Sequence, residues 1–247
     1  MNVVRGSTSN ETKMIKGIQA AVGALQDGLI GEQTMSDIAC LLKADCFPLT
    51  LRIYQMPAII AKDILPFASG GKPLSAYANC INGSFFVEQK IGGPFPVSVL
   101  ISNGKVVRGV SCHHPEGYPE SVIYRLEDGT FGIRRAKQVE ELPANIRWAV
   151  GGLGLLDFYD PQGEGFVGNY AGVLRRTNHS VLGVKNNHIY LVYCKNKSAA
   201  EVNAFAKQLG LEMAIMMDGG HVAGINGAES FAKINTSMRQ AYIVQAI

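Results

Sequence analysis

The chain has 247 residues, of which 47% are apolar and 17% charged, so it can bury a full-sized hydrophobic core without disulfides or a partner. Its formal net charge of +3 is too small to indicate nucleic-acid binding, and no apolar run reaches the roughly 18 to 20 residues that a membrane span needs. The polar first residues, 1–13, lack the apolar segment of a secretory signal peptide, so we expect synthesis in the cytoplasm.

Two helices are predicted in the first 46 residues. Between residues 10 and 25 the apolar side chains recur at spacings of three and four, which places them on one face of an amphipathic helix. A second helix is predicted from Thr34, whose hydroxyl caps free amides, with Asp37 in its first turn. Its apolar residues are expected to pack on the first helix: Met35, Ile38, Leu41 and Leu42.

The pattern changes after Pro48 to the alternation of a strand, so we place a domain boundary between residues 46 and 47. Three hairpins are predicted downstream, at Asn103-Gly104, Asp128-Gly129 and Asn186-Asn187, because these residue types favour the tight turns of hairpins. The sheet is therefore expected to be largely antiparallel.

One helix and one buried strand are well marked further along. Ser198 and Glu201 form a capping-box pattern ahead of a helical apolar stripe that stops at Gly210. The apolar run 211–217 then ends in Asp218-Gly219-Gly220, as expected for a buried strand that delivers a site at its end. The sequence predicts an α+β fold: a small all-helical module at residues 1–46, followed by a mixed, largely antiparallel α/β catalytic-type domain at residues 47–247.

A glycine-rich turn connects the two predicted N-terminal helices. Asp27, Gly28, Gly31 and Thr34 follow a glutamine-bearing helix. This pattern resembles the helical peptidoglycan-binding module, and the resemblance implies peptidoglycan or another cell-wall glycan as a partner. An ordinary helical hairpin explains the same residues, because the glycines permit a tight loop in either case.

Three separated motifs in the larger domain carry a second resemblance. They are Asn82-Gly83-Ser84-Phe85-Phe86, the strand from His179 to Gly183 with Arg176 three residues before it, and Asp218-Gly219-Gly220-His221. In this order they resemble the phosphodiester glycosidase family, whose motifs are Asn-Gly-Gly-Phe-Phe, an Arg-Thr or Arg-Ser pair before a strand, and Asp-Gly-Gly-Gly-Ser. This chain departs from them by carrying Ser84 and His221 instead of glycine and His179 instead of arginine.

The resemblance implies a hydrolase of glycosidic bonds to phosphate. Asp218 would activate water or stabilise an oxocarbenium-like transition state, Asn82 would orient the sugar, and His221 would move a proton. Phosphate binding is assigned to a cation and to backbone amides at the glycines, which gives this set: Arg176, His179, Gly219 and Gly220. The alternatives are structural: a turn-stabilising Asn82, a loop-capping Asp218 and non-catalytic imidazoles.

No metal or other cofactor is predicted, because Cys112-His113-His114 lacks a second ligand cluster at a recognisable spacing. The patterns together predict a cell-wall glycan hydrolase that acts on peptidoglycan or on a sugar-phosphate linkage. A wall-binding module without a signal peptide resembles phage endolysins, which are made in the cytoplasm and act at the wall once released. Two alternatives stay open: a non-catalytic wall-binding protein and an intracellular sugar-1-phosphodiester hydrolase.

Overall fold

The computed structural model describes residues 56–89, 93–111, 113, 117–227 and 233–247, and the backbone of three strands at residues 4–5, 29–30 and 46–51. The first two of these strands, β1 (Val4–Arg5) and β2 (Leu29–Ile30), pair with each other antiparallel. The helices predicted between residues 10 and 25 and from Thr34 lie outside the described residues. So do the residues assigned to peptidoglycan binding: Asp27, Gly28, Gly31 and Thr34.

The remaining strands, in chain order, are β3 (Cys46–Leu51), β4 (Met56–Ala61), β5 (Ile64–Ala68), β6 (Cys80–Asn82), β7 (Phe86–Gln89), β8 (Gly93–Pro96), β9 (Leu100–Ser102), β10 (Lys105–Arg108), β11 (Glu120–Leu126), β12 (Phe131–Ala136), β13 (Ile146–Gly154), β14 (Thr177–Lys185), β15 (His188–Lys197), β16 (Met213–Gly219), β17 (Ile225–Asn226), β18 (Lys233–Ile234) and β19 (Tyr242–Ala246). One α-helix, α1 (Ala199–Gln208), lies among the described residues. Four short 3-10 helices accompany it: Leu74–Ala76, Val139–Glu141, Leu156–Phe158 and Gly168–Leu174.

The prediction of an α+β fold with an all-helical N-terminal module is wrong. The described protein is mostly antiparallel β-sheet, and its only described elements before residue 46 are the paired strands β1 and β2. Helical periodicity is a local signal, whereas a two-residue strand such as Leu29–Ile30 depends on a partner distant in the chain. The placement of the domain boundary at residue 46 stays a prediction.

All three predicted hairpins are confirmed. Asn103-Gly104 joins β9 to β10, Asp128-Gly129 joins β11 to β12, and Asn186-Asn187 joins β14 to β15. Asn103 and both residues of the Asn186-Asn187 turn have positive φ values. The capping box is also confirmed: the Ser198 hydroxyl accepts from the Glu201 amide, and the Glu201 carboxylate accepts from the Ser198 amide at 2.8 Å.

A ten-stranded sheet is the central layer of the protein, with the main path β10-β9-β13-β16-β14-β15-β4-β3. One face packs against a five-stranded sheet, β18-β17-β6-β19-β5, through residues such as Ile59, Leu182 and Val244. The opposite face is covered by α1 through Val202 and Phe205. No described helix is long and apolar enough to cross a membrane.

Strand β16 lies between β13 and β14 and is covered on both faces. Ala214 and Met216 point into the cluster beneath α1, while Ile215 and Met217 point toward the five-stranded sheet. This double coverage explains the nearly continuous apolar run before Asp218. The strand therefore carries Asp218 to the edge of the core on a rigid support.

Candidate active site

A cavity of about 580 Å³ opens where β16 ends. Its walls come from four parts of the chain that are far apart in sequence: the start of β7, the loop before β14, the end of β16 with the residues after it, and the segment before β19. The lining residues are Phe86, Arg175, Asp218, Gly219, Gly220, His221, Val222, Ser237, Met238 and Arg239. The cavity thus combines one carboxylate, two arginines, a histidine and a mainly apolar side.

Asp218 is the carboxylate of this cavity and is partly buried. Burial raises the pKa of Asp218 to about 7, while the Gly219 amide, which donates to its carboxylate at 2.7 Å, and the charge of Arg175 act in the opposite direction. A carboxyl group with a pKa near neutrality can both release and accept a proton under ordinary conditions. This is the property that a general base requires.

The two glycines after Asp218 allow β16 to approach β14 closely. A Cβ atom on Gly219 would lie 2.6 Å from the Asn178 carbonyl oxygen, and Gly220 has a φ of +71°. Both backbone amides are already donated, that of Gly219 to Asp218 and that of Gly220 to the Asn178 carbonyl at 2.8 Å. The structure therefore gives these predicted phosphate-binding amides a role in holding the strand end.

The neighbouring arginines point in different directions. Arg175 lines the cavity, whereas Arg176 donates to the Glu201 carboxylate at 2.6 Å and to the Asn196 carbonyl at 3.0 Å. Arg176, the residue predicted from sequence, is thus engaged at the N-terminus of α1. The sequence prediction missed Arg175, although Glu201 of the capping box could be identified from sequence as an acidic partner for one of the two neighbouring arginines.

A second cavity arginine, Arg239, was also missed by the sequence prediction. Its side chain is held by a hydrogen bond from Nε to the Gly71 carbonyl at 3.2 Å. Ser237 and Met238 beside it complete this wall. No motif marked this segment, which reaches the site through long-range contacts such as the bridge between Pro73 and Arg239.

The two predicted histidines occupy different positions. His221 is exposed and lines the large cavity next to Asp218. His179 is 1% exposed and lies on β14 opposite Gly219, where it borders a smaller adjoining cavity. Burial lowers the pKa of His179, so its imidazole is neutral at ordinary pH.

Asn82 lies beneath the cavity and does not line it. Its Nδ2 donates to the backbone carbonyls of Gly83 at 2.9 Å and Asp218 at 3.1 Å. Its Oδ1 accepts from the Ser180 hydroxyl and from the Gly224 amide at 2.9 Å. All four hydrogen-bonding positions of the amide are therefore used, and the side chain holds the Asp218 backbone in place.

Replacing Asn82 by alanine is expected to lower the free energy of unfolding by about 2 to 4 kcal/mol, because buried partners lose their hydrogen bonds. Urea unfolding measures this loss. Alanine at the exposed Asn169 is the matched control and is expected to shift stability by less than about 0.5 kcal/mol. Equal stability of the Asn82 variant and the wild type would contradict the supporting role.

A second acid, Glu120, is fully buried behind the first motif. It accepts the Val99 amide at 2.6 Å, and the adjacent Ser98 hydroxyl contacts that of Ser84 at 3.3 Å. Burial raises the pKa of Glu120 to about 8, and Glu164 acts in the same direction, while the Val99 amide, Ser98 and Arg108 oppose it. Glu120 is therefore protonated near neutral pH.

The free energy of unfolding should fall as pH rises from about 4.5 to about 8. In this window folded Glu120 keeps a proton that the unfolded chain releases, so the slope approaches about 1.4 kcal/mol per pH unit. Glu120→Gln is expected to remove this component, while Glu127→Gln, at an exposed position, leaves it intact. Unfolding curves at several pH values measure it, and an unchanged slope in Glu120→Gln would contradict the assignment.

These features make the cavity a candidate active site, in which one carboxylate and two guanidinium groups line the same space. A family model described as phosphodiester glycosidase matches residues 77–244, and the chain belongs to that family. It is accordingly a hydrolase of glycosidic bonds in sugar-phosphodiester linkages. A comparison with curated protein sequences gives no match.

Two solved structures share the fold. The catalytic domain of zebrafish N-acetylglucosamine-1-phosphodiester alpha-N-acetylglucosaminidase, auto-inhibited by its pro-peptide, aligns with a TM-score of 0.59 and 16% identity over 77% of this chain and 76% of that one. A hypothetical protein from Synechocystis aligns with a TM-score of 0.58 and 14% identity over 81% of this chain and 61% of that one. At these identities the likeness concerns the fold.

Proposed function

We propose that this chain hydrolyses the bond between the anomeric carbon of an N-acetylated amino sugar and the phosphate of a phosphodiester. The observation that carries the proposal is the composition of the cavity: Asp218 faces the same space as Arg175 and Arg239. Neither arginine forms an ion pair within 4.0 Å among the described residues, so both charges are available to an anionic ligand. The choice of sugar follows the substrate in the name of the zebrafish enzyme.

The cavity separates the two halves of such a substrate by chemistry. Guanidinium groups bind phosphate oxygens through charge-assisted hydrogen bonds, which assigns the phosphate to Arg175 and Arg239. Phe86, Val222 and Met238 supply apolar surface for the sugar ring. Because a phosphomonoester leaves readily, the site needs a base or charge stabiliser more than a strong acid, and Asp218 meets this need.

The site favours a sugar phosphodiester over the uncharged glycosidic bonds of peptidoglycan, which offer no anion to the arginines. A wall polymer that contains sugar-phosphate linkages remains compatible with the same chemistry. Binding of residues 1–46 to peptidoglycan, and with it an endolysin-like action at the wall after release, rests on the resemblance of the N-terminal segment. Sedimentation of the full chain with purified sacculi tests that part separately.

The direct test compares two substrates in water enriched in heavy oxygen. One is the methyl phosphodiester of N-acetyl-α-glucosamine 1-phosphate, and the other is p-nitrophenyl N-acetyl-α-glucosaminide, whose leaving group carries no phosphate. We expect turnover of the first to exceed that of the second by at least about 100-fold, because the second lacks the arginine contacts. Mass spectrometry should find the heavy oxygen in the sugar; label in the phosphate would overturn cleavage at the anomeric carbon.

A further inference from the structure

Two walls of the large cavity are joined to each other by side-chain amides. One wall is the loop 221–224, which follows β16 and therefore Asp218. The other is the segment 235–240, which precedes β19 and carries Arg239. The connections between these two walls bear on the distance between the carboxylate and one of the guanidinium groups of the cavity.

Gln240 supplies the inner connection, in a position that is only 1% exposed. Its Nε2 donates to the Val222 carbonyl at 3.0 Å, across the gap, and to the Met238 carbonyl at 3.4 Å, within its own segment. Both hydrogens of the amide are therefore used, one on each wall. The Met238 carbonyl belongs to the peptide unit directly before Arg239, so the amide ties the backbone of this arginine to the facing loop.

Asn235 supplies the outer connection. Its Nδ2 donates to the His221 carbonyl and, at 3.0 Å, to the Ala223 carbonyl. The residue has a φ of +53°, a conformation that asparagine adopts more readily than most side chains. Together with Gln240, it binds three successive carbonyls of the loop, those of residues 221, 222 and 223.

The segment 235–240 is also held from its other side, by the loop 69–72. The Gln240 backbone amide donates to the Lys72 carbonyl at 3.2 Å, and its carbonyl accepts from the Ser69 hydroxyl. Arg239 donates through Nε to the Gly71 carbonyl. The segment thus lies between two loops, and the amides of Asn235 and Gln240 connect it to the loop that follows Asp218.

We propose that Gln240 is the positioning residue for Arg239, and that Asn235 supports it by fixing the facing loop. The inference rests on the proposed function and adds how the site sets the distance between Asp218 and one phosphate-binding arginine. Guanidinium groups bind phosphate through directed hydrogen bonds, so a displacement of this wall by about 1 Å weakens the contact.

Arg175 provides an internal comparison, because it reaches the cavity from the loop before β14. Its Nη1 donates to the Gly172 carbonyl at 2.9 Å, in the 3-10 helix Gly168–Leu174. This anchor is remote from Gln240 in the chain and shares none of its hydrogen bonds. The loss of the Gln240 amide should therefore act through Arg239 and leave the contribution of Arg175 unchanged.

Gln240→Met removes both donors and keeps an unbranched side chain of similar length. We expect kcat/KM for the methyl phosphodiester of N-acetyl-α-glucosamine 1-phosphate to fall about 10-fold, since the Arg239 contact is weakened. Gln245→Met is the matched control, because the Gln245 amide donates to the Ala78 carbonyl at 3.1 Å, outside the cavity. The control should change kcat/KM by less than about twofold, and unfolding curves show that both variants are folded.

Double variants separate positioning from a general effect on stability. In an Arg239→Gln background Gln240→Met should lower kcat/KM by less than about threefold, because the arginine through which it acts is gone. In an Arg175→Gln background the fall should stay at about 10-fold. Equal falls in the two backgrounds would overturn the inference, since a residue that only stabilises the fold acts alike in both.

Asn235→Gly is a second variant for the same cycle. Glycine accepts the positive φ, so the change removes the amide without straining the backbone. We expect a fall of about threefold to 10-fold in kcat/KM, again reduced in the Arg239→Gln background and kept in the Arg175→Gln background. If Gln240→Met does not fold, this cycle decides the outcome by the same criterion.

Crystal structures of the wild type and of a folded variant complete the test. The Arg239 guanidinium is expected to move by about 1 Å or more relative to Asp218 when the amide is lost. An unchanged position would overturn the inference. Lack of turnover of any sugar phosphodiester by the wild type would instead refute the proposed function, and the two crystal structures would still decide whether Gln240 positions Arg239.

Discussion

Asp218→Asn is expected to lower kcat for the sugar phosphodiester by about 1,000-fold, since an amide has the shape of the carboxyl group but cannot take a proton from water. Because the pKa of Asp218 is about 7, the activity of the wild type should also depend on pH. Asp218 must be ionised to act as a base, so wild-type kcat/KM should rise with pH through about 7 and level off above it. Rate measurements between pH 5 and pH 9 test both parts.

The control for this variant is Asp157→Asn, at an exposed aspartate in the 3-10 helix Leu156–Phe158, which should keep full activity. A measurement of the variant's stability shows whether a loss of activity comes from the lost carboxylate or from unfolding of the protein. Burial raises the folded-state pKa of Asp218 above its ordinary value of 3.8, so the ionised carboxylate opposes folding at pH 8. Asp218→Asn should therefore unfold at the same or higher denaturant concentration than wild type at that pH. If the variant kept activity within about tenfold of wild type, the assignment of Asp218 as the general base would be contradicted.

Local chemistry explains which parts of this molecule could be predicted from sequence. The Asn103-Gly104 turn and the Ser198–Glu201 capping box depend on a few adjacent residues, so their structure follows from composition at that place. The end of a buried apolar run at Asp218 was similarly visible, because β16 is covered on both faces. The carboxylate of the cavity was found for this reason.

Long-range contacts explain what was missed. The two-residue strands β17 and β18 have no periodicity of their own, and Arg239 reaches the cavity from a segment without a motif. Asn82 has the residue type of a ligand-binding amide, yet its hydrogen bonds are satisfied by Ser180, Gly224 and two backbone carbonyls. A sequence pattern identifies such a residue without indicating which groups it contacts.

The adjacent arginines allow the phosphate contact to be tested with a chemically identical control. Arg175→Gln is expected to lower kcat/KM for the sugar phosphodiester by about 10- to 100-fold, because a charged hydrogen bond to phosphate is worth about 1.5 to 3 kcal/mol. Arg176→Gln should change kcat/KM by less than about twofold, since its guanidinium is engaged with Glu201. The ion pair that it loses is exposed, so its effect on stability should stay below about 1 kcal/mol.

The two variants should also differ in their pH profiles. The Arg175 charge lowers the pKa of Asp218, so its removal should raise that pKa and move the rising limb of kcat/KM to higher pH. Arg176→Gln leaves the limb in place, because the charge that it removes lies beside α1 rather than at the cavity. A shift with Arg176→Gln but not with Arg175→Gln would reverse the assignment, since it would mean that Arg176 carries the cation of the site in solution.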